Sequence, residues 1–594
     1  MNRLIKIIRP GIPNFKWIID YQRQSLSGDL LAGTTVGIML IPQCMAYATL
    51  AGLPPQIGLY ASLFPMLFYM AWGTSPYLSV APVAISSIFI GSSVGAIVSE
   101  TGGTIVLLTS LVATLALMEG SIQLIMGIAR IGFIVNFISH PVLTGYISAA
   151  AISIILSQLG TMFGLSTAGS WQPFMALKGI ISQLRDVNGF TTVISMTSLF
   201  LLIYAKKYMR QHLQSLGLSK VFYGLLPKAT PLLVVGMGIL FAWKFNLDIR
   251  YGLSIVGELP SGFPGFSIPS LNPDHVLTLL PIAITLSLLS LLESYSVGKA
   301  LASKDAKLLG PNREFFALGA ANIASAFSGG YSVSGSLSRS TVNFQSGANT
   351  KLSSLVTVVM VAITVTFFMP QLYYLPKAIL AVIIISAVSS LIDFKYLKNL
   401  IRLNKTDALS FGITFLSVFV FGVKYGLIIG IFASMVFYVW ITSRPNIAVI
   451  GRIGTSEHFR NILRHEVTTH PHILTIRIDE NLTFANSKFI EEHLNILIEE
   501  KKAMDNVANI EHFVFVTSNV NYIDISALET LEGLFQRLKN QGIDVILAEV
   551  KGPVMDFLQK SGFIKRFGEE KIFLSTHLAL KSLTNKNALK SYSI

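Results

Sequence analysis

Long apolar runs separated by short polar connections occupy residues 28–443. Most runs approach the ~20 residues that a helix needs to cross the hydrocarbon core of a bilayer. The first set comprises two runs between residues 28 and 72, divided by Gly-Leu-Pro-Pro at 52–55, and runs near residues 79–98, 104–128, 133–163, 189–206 and 225–243. The second set comprises runs near residues 277–300, 315–328, 337–349, 353–370, 375–392, 407–422 and 425–443. The pattern predicts about 14 spans in two halves.

Two related stretches interrupt this apolar pattern. Residues 79–87 read SVAPVAISS, and residues 332–340 read SVSGSLSRS. Glycine and serine are poor residues for a helix interior, so residues 329–351 are predicted to be extended at first and helical from near Leu337. Ser336 or Ser338 is expected to cap that helix. One such segment in each half predicts two helix ends that converge from opposite directions.

A helix that begins inside a membrane leaves its first amides unpaired and exposes the positive end of its dipole. Such an end favours anions, and interrupted helices facing a substrate recur in secondary transporters. Arg339 adds a full positive charge, which costs roughly 2.5 to 3.5 kcal/mol at a span centre on insertion scales. A carboxylate such as Glu119 or Glu293 could balance this charge, or the arginine could belong to a site that attracts anions. The two are compatible if substrate and carboxylate alternate.

The composition changes after residue 445 to that of a small soluble domain. Predicted strands at 472–478, 511–517 and 544–550 alternate with predicted helices at 486–501, 526–539 and 554–561. Alternating strands and helices indicate an α/β domain with helices packed on a sheet. The predicted divisions are an N-terminal segment 1–27, a membrane domain 28–445 with halves at about 28–245 and 277–443, an α/β domain 446–580 and a loose tail 581–594.

The composition supports a polytopic membrane protein, since 52% of the 594 residues are hydrophobic, 13% are charged and the mean hydropathy is +0.61. The formal charge of +14 does not indicate nucleic-acid binding, because the basic residues are scattered among short loops. They follow the even-numbered runs, which places both termini in the cytoplasm. Those after the sixth run are Lys206, Lys207, Arg210, Lys220 and Lys228.

Two further features bear on localisation. The predicted external loops 165–188 and 245–275 contain no N-glycosylation sequon, which fits a bacterial inner membrane. Cys44 has no partner cysteine in the chain, so no disulfide framework is expected.

Four motifs together resemble the SulP anion transporters, the sulfate permease family of solute carriers, with their C-terminal STAS domain. The motifs are IPQCMAYATLAGLPPQIGLYASLFP (41–65), GTSPYLSVAPVA (73–84), SGSLSRSTVNFQSGA (334–348) and VNYIDISALETL (520–531). The resemblance implies a seven-plus-seven inverted repeat with half-helices in spans 3 and 10. It also implies a core that moves against a gate, commonly in a homodimer.

The resemblance places the anion site on six residues of this chain. They are Gln43 and Tyr47 in the first span, Pro82 and Val83 in the third, and Ser338 and Arg339 in the tenth. Gln43 and Tyr47 are four residues apart and therefore share a helix face, where an amide and a phenol can donate to an oxyanion. An interhelical hydrogen bond for Gln43 and simple packing for Val83 are the alternatives.

Glu293 is a lone carboxylate in the first span of the second half. Acidic residues inside a membrane are candidates for function, and family members that couple anion uptake to H⁺ or Na⁺ carry an acid in this helix. The resemblance therefore implies a symporter that uses Glu293, with a structural ion pair as the alternative. Glu119 and Gln123 also share a face, and interhelical bonding is the favoured interpretation for them.

No metal cluster, Walker motif or activated nucleophile is evident in the sequence, so neither an enzyme nor a bound cofactor is expected. In the STAS domain, Asp524 or Ser526 is expected to cap a helix, although related domains are phosphorylated on a serine in this loop. The domain could bind a cytoplasmic partner. The leading hypothesis is sulfate transport across a lipid bilayer. Its alternatives are bicarbonate or C4-dicarboxylate transport, anion sensing, and an uncoupled channel or exchanger.

Overall fold

The structure is a computed structural model that describes residue 13 and residues 16–165, 173–217, 219–302, 310–504 and 510–590. The chain divides into two compact units, Met1–Ser434 and Met435–Ile594. Most of the predicted N-terminal segment 1–27, and part of the predicted external loop 165–188, lie outside the described residues.

The first half of the membrane part follows a helical turn at Lys16–Ile19. Its elements are α1 (Leu26–Leu50), α2 (Pro55–Tyr60), α3 (Phe64–Trp72), β1 (Val80–Ala81), α4 (Ala84–Ile90), α5 (Ala96–Glu100), α6 (Ile105–Ile128), α7 (His140–Met162), α8 (Pro173–Ser182), α9 (Gly189–Tyr204), α10 (Arg210–Ser215), α11 (Lys220–Phe245) and α12 (Leu247–Tyr251). The second predicted span is thus divided between α2 and α3, and the third begins as extended chain.

The second half repeats the mixture of long helices and one interrupted segment. Its elements are α13 (Pro273–Ala302), α14 (Pro311–Phe327), β2 (Ser334–Gly335), α15 (Leu337–Gln345), α16 (Leu352–Ile363), α17 (Lys377–Val388), α18 (Phe394–Leu403) and α19 (Lys405–Thr442). The two final predicted runs are continuous in α19 except at Gly422, where φ is 84° and the helical path is broken. Glycine adopts this positive φ without the steric cost that a Cβ atom imposes.

One expectation about an element bound was wrong, and two predicted loops contain helices. The run near 133–163 becomes helix α7 only from His140, because Ser139 is extended and Pro141 favours the first turn. The predicted loops 165–188 and 245–275 contain helices α8 and α12, respectively. The exact number of membrane spans stays a prediction. Within the described residues, eight helices are long and apolar enough to cross a membrane.

Glycines set the spacing between the most closely packed helices. A methyl group on Gly120 of α6 would lie 2.7 Å from the carbonyl oxygen of Gly319 of α14, and the reverse holds for Gly319. Small residues let helix backbones approach closely in membranes. Helices α6 and α14 therefore form a tight pair beside the two short strands.

The C-terminal unit contains a six-stranded sheet in the order β4-β3-β5-β6-β7-β8, in which β5 to β8 are parallel and β3 is antiparallel to both its neighbours. Its strands are β3 (Ile447–Arg452), β4 (Phe459–Asn461), β5 (Ile473–Ile478), β6 (His512–Val516), β7 (Asp544–Ala548) and β8 (Ile572–Phe573). Its helices are α20 (Ser487–Met504), α21 (Ile525–Asn540), α22 (Gly552–Lys560), α23 (Phe563–Phe567) and α24 (Thr576–Lys590).

The expectation of a loose tail beyond residue 580 was wrong for the described part, because α24 continues to Lys590. Leu580 and Leu583 are buried with Val514 and Ile546 of the sheet. Burial of apolar side chains, at roughly 25 cal/mol per Å², favours this helix over a loose chain.

Candidate anion site

Two short strands of the membrane unit, β1 (Val80–Ala81) and β2 (Ser334–Gly335), pair with each other, and we call this pair the crossing. Strand β1 pairs with β2 in antiparallel register, with Val80 opposite Gly335 and Ala81 opposite Ser334. Each strand leads into a helix, so the N-termini of α4 and α15 arrive from opposite directions. The sequence comparison of 79–87 with 332–340 predicts this arrangement, and the structure agrees with it.

The local sequence explains where each half-helix begins. Ser336 is extended and caps α15, since its Oγ accepts from the Arg339 amide at 3.5 Å. Ser338 instead lies in the first turn with its side chain exposed. Val83 precedes α4 and makes no side-chain cap. The first amides of both half-helices lack intrahelical partners, which leaves two positive helix ends near the crossing.

Arg339 is fully buried behind the crossing. Its Nε donates to Ser79 Oγ at 3.4 Å, and its Nη2 donates to the Ala81 carbonyl at 3.3 Å. Among the described residues, Nη1 has no hydrogen-bond partner and no carboxylate lies within 4 Å of the guanidinium. Neither Glu119 nor Glu293 therefore forms a direct ion pair with Arg339 in the structure.

A cavity of about 1010 Å³ opens beside the crossing. Gln43 of α1 and Ser338 of α15 both line it. Tyr47, like Gln43, is 6% exposed, and neither side chain has a hydrogen-bond partner among the described residues. The cavity thus combines an unpartnered amide, a hydroxyl and a helix N-terminus. These are neutral donors that an oxyanion can use.

Glu293 of α13 is partly exposed and is tied to strand β2. Ser334 Oγ lies 3.5 Å from Glu293 Oε2, and it also has the Ser290 carbonyl as an acceptor at 3.0 Å. The neighbouring Ser294 Oγ lies 3.0 Å from Ser334 Oγ and accepts from the Gly335 amide at 2.7 Å. A change at Glu293 can therefore act on the strand that positions α15.

Sequence profiles of two protein families match the chain. The sulfate permease family matches residues 26–414, and the STAS domain matches residues 464–579. The chain belongs to the sulfate permease family. The first family match covers the helices and both strands of the crossing, and the second covers most of the C-terminal sheet. With its long apolar helices, the protein is a multi-pass membrane protein with a C-terminal STAS domain.

Plant proteins are among the relatives of this chain. It is 36% identical over 588 residues to "Sulfate transporter 4.1, chloroplastic" of Arabidopsis thaliana, covering 98% of this chain and 83% of the relative. It is 30% identical over 590 residues to "Low affinity sulfate transporter 3" of Stylosanthes hamata, covering 96% and 90%.

Two solved structures share its fold. SLC26A9 superimposes with a TM-score of 0.88 at 23% identity, covering 100% of this chain and 96% of that one. The transmembrane domain of a cyanobacterial bicarbonate transporter, BicA, superimposes with a TM-score of 0.58 at 19% identity, covering 70% and 98%. At these identities the likeness concerns the fold alone.

The structure brings only some of the six predicted binding residues to the cavity surface. Gln43 and Ser338 line the cavity, whereas Pro82, Val83 and Arg339 are buried and do not. Tyr47 is buried four residues beyond Gln43 on α1 and is also outside the lining. Arg339 is thus buried outside the cavity lining and holds the β1 segment through Ser79 and Ala81.

Glu119 and Gln123 take part in interhelical hydrogen bonds, as favoured from the sequence. Glu119 Oε1 accepts from Ser290 Oγ at 2.5 Å and from Gln123 Nε2 at 3.1 Å. Asn322, which the sequence analysis missed, donates from Nδ2 to Gln123 Oε1 at 3.0 Å. Its Oδ1 accepts from the Val333 amide at 2.8 Å, and its Nδ2 lies 3.3 Å from the Val333 carbonyl oxygen. Its signal is an asparagine within the small apolar run GAANIASAF.

Three buried charged residues that the sequence analysis missed fasten the ends of these segments. Asp29 Oδ1 accepts from the amides of Asn349 and Thr350 at 2.7 and 3.0 Å. Glu314 accepts from Tyr69 OH at 2.7 Å and from Thr74. Lys351 Nζ donates to the carbonyls of Met70 and Gly73 at 2.8 and 2.6 Å. Charged residues at the ends of apolar runs suggested loops. In the structure, these three side chains instead connect neighbouring helices.

Asp524 caps α21 in the STAS domain. Its Oδ1 accepts from the Ala527 amide at 2.8 Å, and its Oδ2 accepts from the Phe484 amide at 2.7 Å. Ser526 follows with an exposed side chain, and its phosphorylation stays an untested alternative. Within the described ranges, no group of three or more His, Cys, Asp or Glu side chains is placed to hold a metal.

Proposed function

We propose that this protein is a secondary active transporter of a small inorganic anion, with sulfate as the first candidate, which works by alternating access. The cavity beside the crossing carries this proposal, because a helix N-terminus, the Ser338 hydroxyl and the unpartnered Gln43 amide meet there without a carboxylate in the lining. Family membership and the printed names of the plant relatives favour sulfate.

A divalent anion suits this site better than a monovalent one. Two positive helix ends and the buried Arg339 act on the same region, and Coulomb attraction scales with the charge of the ligand. Bicarbonate and C4-dicarboxylates remain the alternative substrates.

Coupling to H⁺ or Na⁺ is assigned to Glu293, with no bound cofactor. The carboxylate is partly exposed and contacts Ser334 of the crossing strand. Occupation of Glu293 by a cation would therefore alter the strand that leads into α15, which is the connection that a symporter requires. Intramembrane acids commonly serve such coupling.

The remaining assignments follow from sequence. We place the protein in a bacterial inner membrane as a homodimer with both termini in the cytoplasm, where the STAS domain can meet a partner. The distribution of basic residues supports this orientation. We expect no enzymatic activity, since the family consists of transporters.

Uptake of radiolabelled sulfate into proteoliposomes, with and without an inward proton or sodium gradient, tests the proposal. Gradient-driven accumulation above the equilibrium level is the expected result. Large fluxes that neither saturate nor respond to a cation gradient would indicate a channel. Binding without any flux of sulfate, bicarbonate or dicarboxylate would indicate a sensor, and either result overturns the coupled carrier.

A further inference from the structure

One end of the cavity is basic. Lys206, Arg210 and Lys228 all line it, together with the ring of Tyr223. The residues that line the cavity include no aspartate or glutamate among those described. Positive charge after the sixth run is expected from membrane orientation alone, but orientation does not require three cations to face the same cavity as Gln43 and Ser338.

The three cations lack carboxylate partners. Lys228 Nζ donates to Ser346 Oγ at 2.8 Å, which uses a neutral acceptor. The Arg210 guanidinium carbon lies 6.0 Å from the Tyr223 ring centroid, a contact that leaves its N–H donors available. In the described part of the chain, none of the three lies within 4 Å of a carboxylate oxygen. An anion bound between them would therefore relieve their mutual repulsion.

Half-helix α15 links this basic end to the inner site. Ser338 lies in its first turn, and Ser346, the acceptor for Lys228, is its C-cap residue. Eight residues separate the two serines, so at 1.5 Å per residue they are about 12 Å apart along the helix axis. This spacing leaves room for one anion at each end of the helix.

We propose that Lys206, Arg210 and Lys228 form a second anion-binding site, which takes up a divalent oxyanion at the basic end of the cavity before it reaches Gln43 and Ser338. The capture role rests on the proposed transport function, whereas anion binding at this end does not. Arginine can hold two oxygens of a tetrahedral oxyanion through its planar fork, and each lysine adds a point charge.

A cysteine probe reads the site without requiring transport. Cys44 is the chain's single cysteine and is fully buried, so Gln345→Cys would place a reactive thiol on the cavity lining beside Ser346. The measured quantity is the ratio of modification rates with a sulfonate-bearing methanethiosulfonate and a neutral one, in purified full-length protein. Sulfate is added as the competitor.

Charge removal should change only the anionic reaction. In the Gln345→Cys background, Lys206→Gln with Arg210→Gln should lower the anionic-to-neutral ratio by about tenfold at low salt, since surface fields change encounter rates by this order. Protection by sulfate should be lost as well. The charge-preserving variant Lys206→Arg with Arg210→Lys should keep the high anionic-to-neutral ratio and the protection by sulfate. That result would show that the site still folds.

Lys207→Gln is the matched control, because Lys207 neighbours Lys206 but is outside the cavity lining and lies 5.1 Å from the Tyr208 ring centroid. It should leave the ratio unchanged. An equal effect of Lys207→Gln, or no effect of the double glutamine variant, would overturn the second site even if sulfate uptake succeeds. Failure of sulfate uptake with a normal charge-dependent ratio would overturn the transport assignment alone.

Discussion

The two strands of the crossing have similar backbones and different side chains. In the first half, residues 79–87 carry no charge and are buried throughout, and α4 has no side-chain cap. In the second half, Ser336 caps α15, Ser338 faces the cavity and Arg339 reaches back to Ser79 and Ala81. The second half thus supplies the charge, and the first supplies acceptors that fix it. The two halves can therefore share one backbone arrangement although their charged and capping side chains differ.

Removing the charge is expected to break this division most severely. Arg339→Ala should lower sulfate uptake by at least about 100-fold, because each lost charge-assisted hydrogen bond is worth roughly 1.5 to 3 kcal/mol and 1.4 kcal/mol is a factor of ten. Initial uptake rates per folded transporter measure the effect. Arg339→Lys keeps the charge without the planar fork, and it should recover part of the activity. Equal uptake rates for wild type and Arg339→Ala would show that Arg339 has no role in sulfate uptake.

Neutralising Glu293 should separate coupling from recognition. We expect Glu293→Gln to lose gradient-driven accumulation, by about tenfold, because the amide cannot exchange a proton or hold a cation by charge. Sulfate binding should persist, since Gln43 and Ser338 are unchanged. Accumulation ratios with and without a pH or sodium gradient check this, and sulfate binding to the same preparation is the control. Unaltered coupling would exclude the role of Glu293.

Asp29 tests whether the first half also positions the second. Asp29→Asn should raise the KM for sulfate by about three- to tenfold with a smaller effect on turnover, because weakening the Asn349 and Thr350 contacts costs roughly 1 kcal/mol or more. Kinetics over a sulfate range measure this split. Asp274→Asn, at an exposed aspartate on the first turn of α13, is the matched control and should behave as wild type. Parallel losses in both variants would point to a general charge effect.

The cap on α15 should have the smallest effect. Ser336→Ala is expected to destabilise the membrane unit by about 0.5 to 1 kcal/mol, the lower part of the range for caps, because its hydrogen bond is long at 3.5 Å. Thermal unfolding of the purified protein reports this change. Ser338→Ala should leave stability almost unchanged and weaken sulfate binding instead. Exchange of the two outcomes would reverse the roles assigned to these serines.

Local signals in the sequence were sufficient for the crossing but not for its surroundings. Glycine and serine content predicts the extended chain and the start of α15 near Leu337, because those preferences are local. The direction of Arg339 depends on Ser79, 260 residues away, and no local rule specifies it. Asn322 and Asp29 act through tertiary contacts with backbone amides. Their residue types alone therefore could not predict these partners.

We predict that an anion binds at the N-terminus of α15, in front of Arg339 and beside Gln43. Crystals of the protein grown with selenate in place of sulfate, and measured at the selenium absorption edge, would locate the anion directly. We expect an anomalous peak within hydrogen-bonding distance of the Ser338 hydroxyl or amide and the Gln43 side chain. A selenate-transporting preparation with no peak there, and with selenate bound elsewhere in the membrane unit, would contradict it.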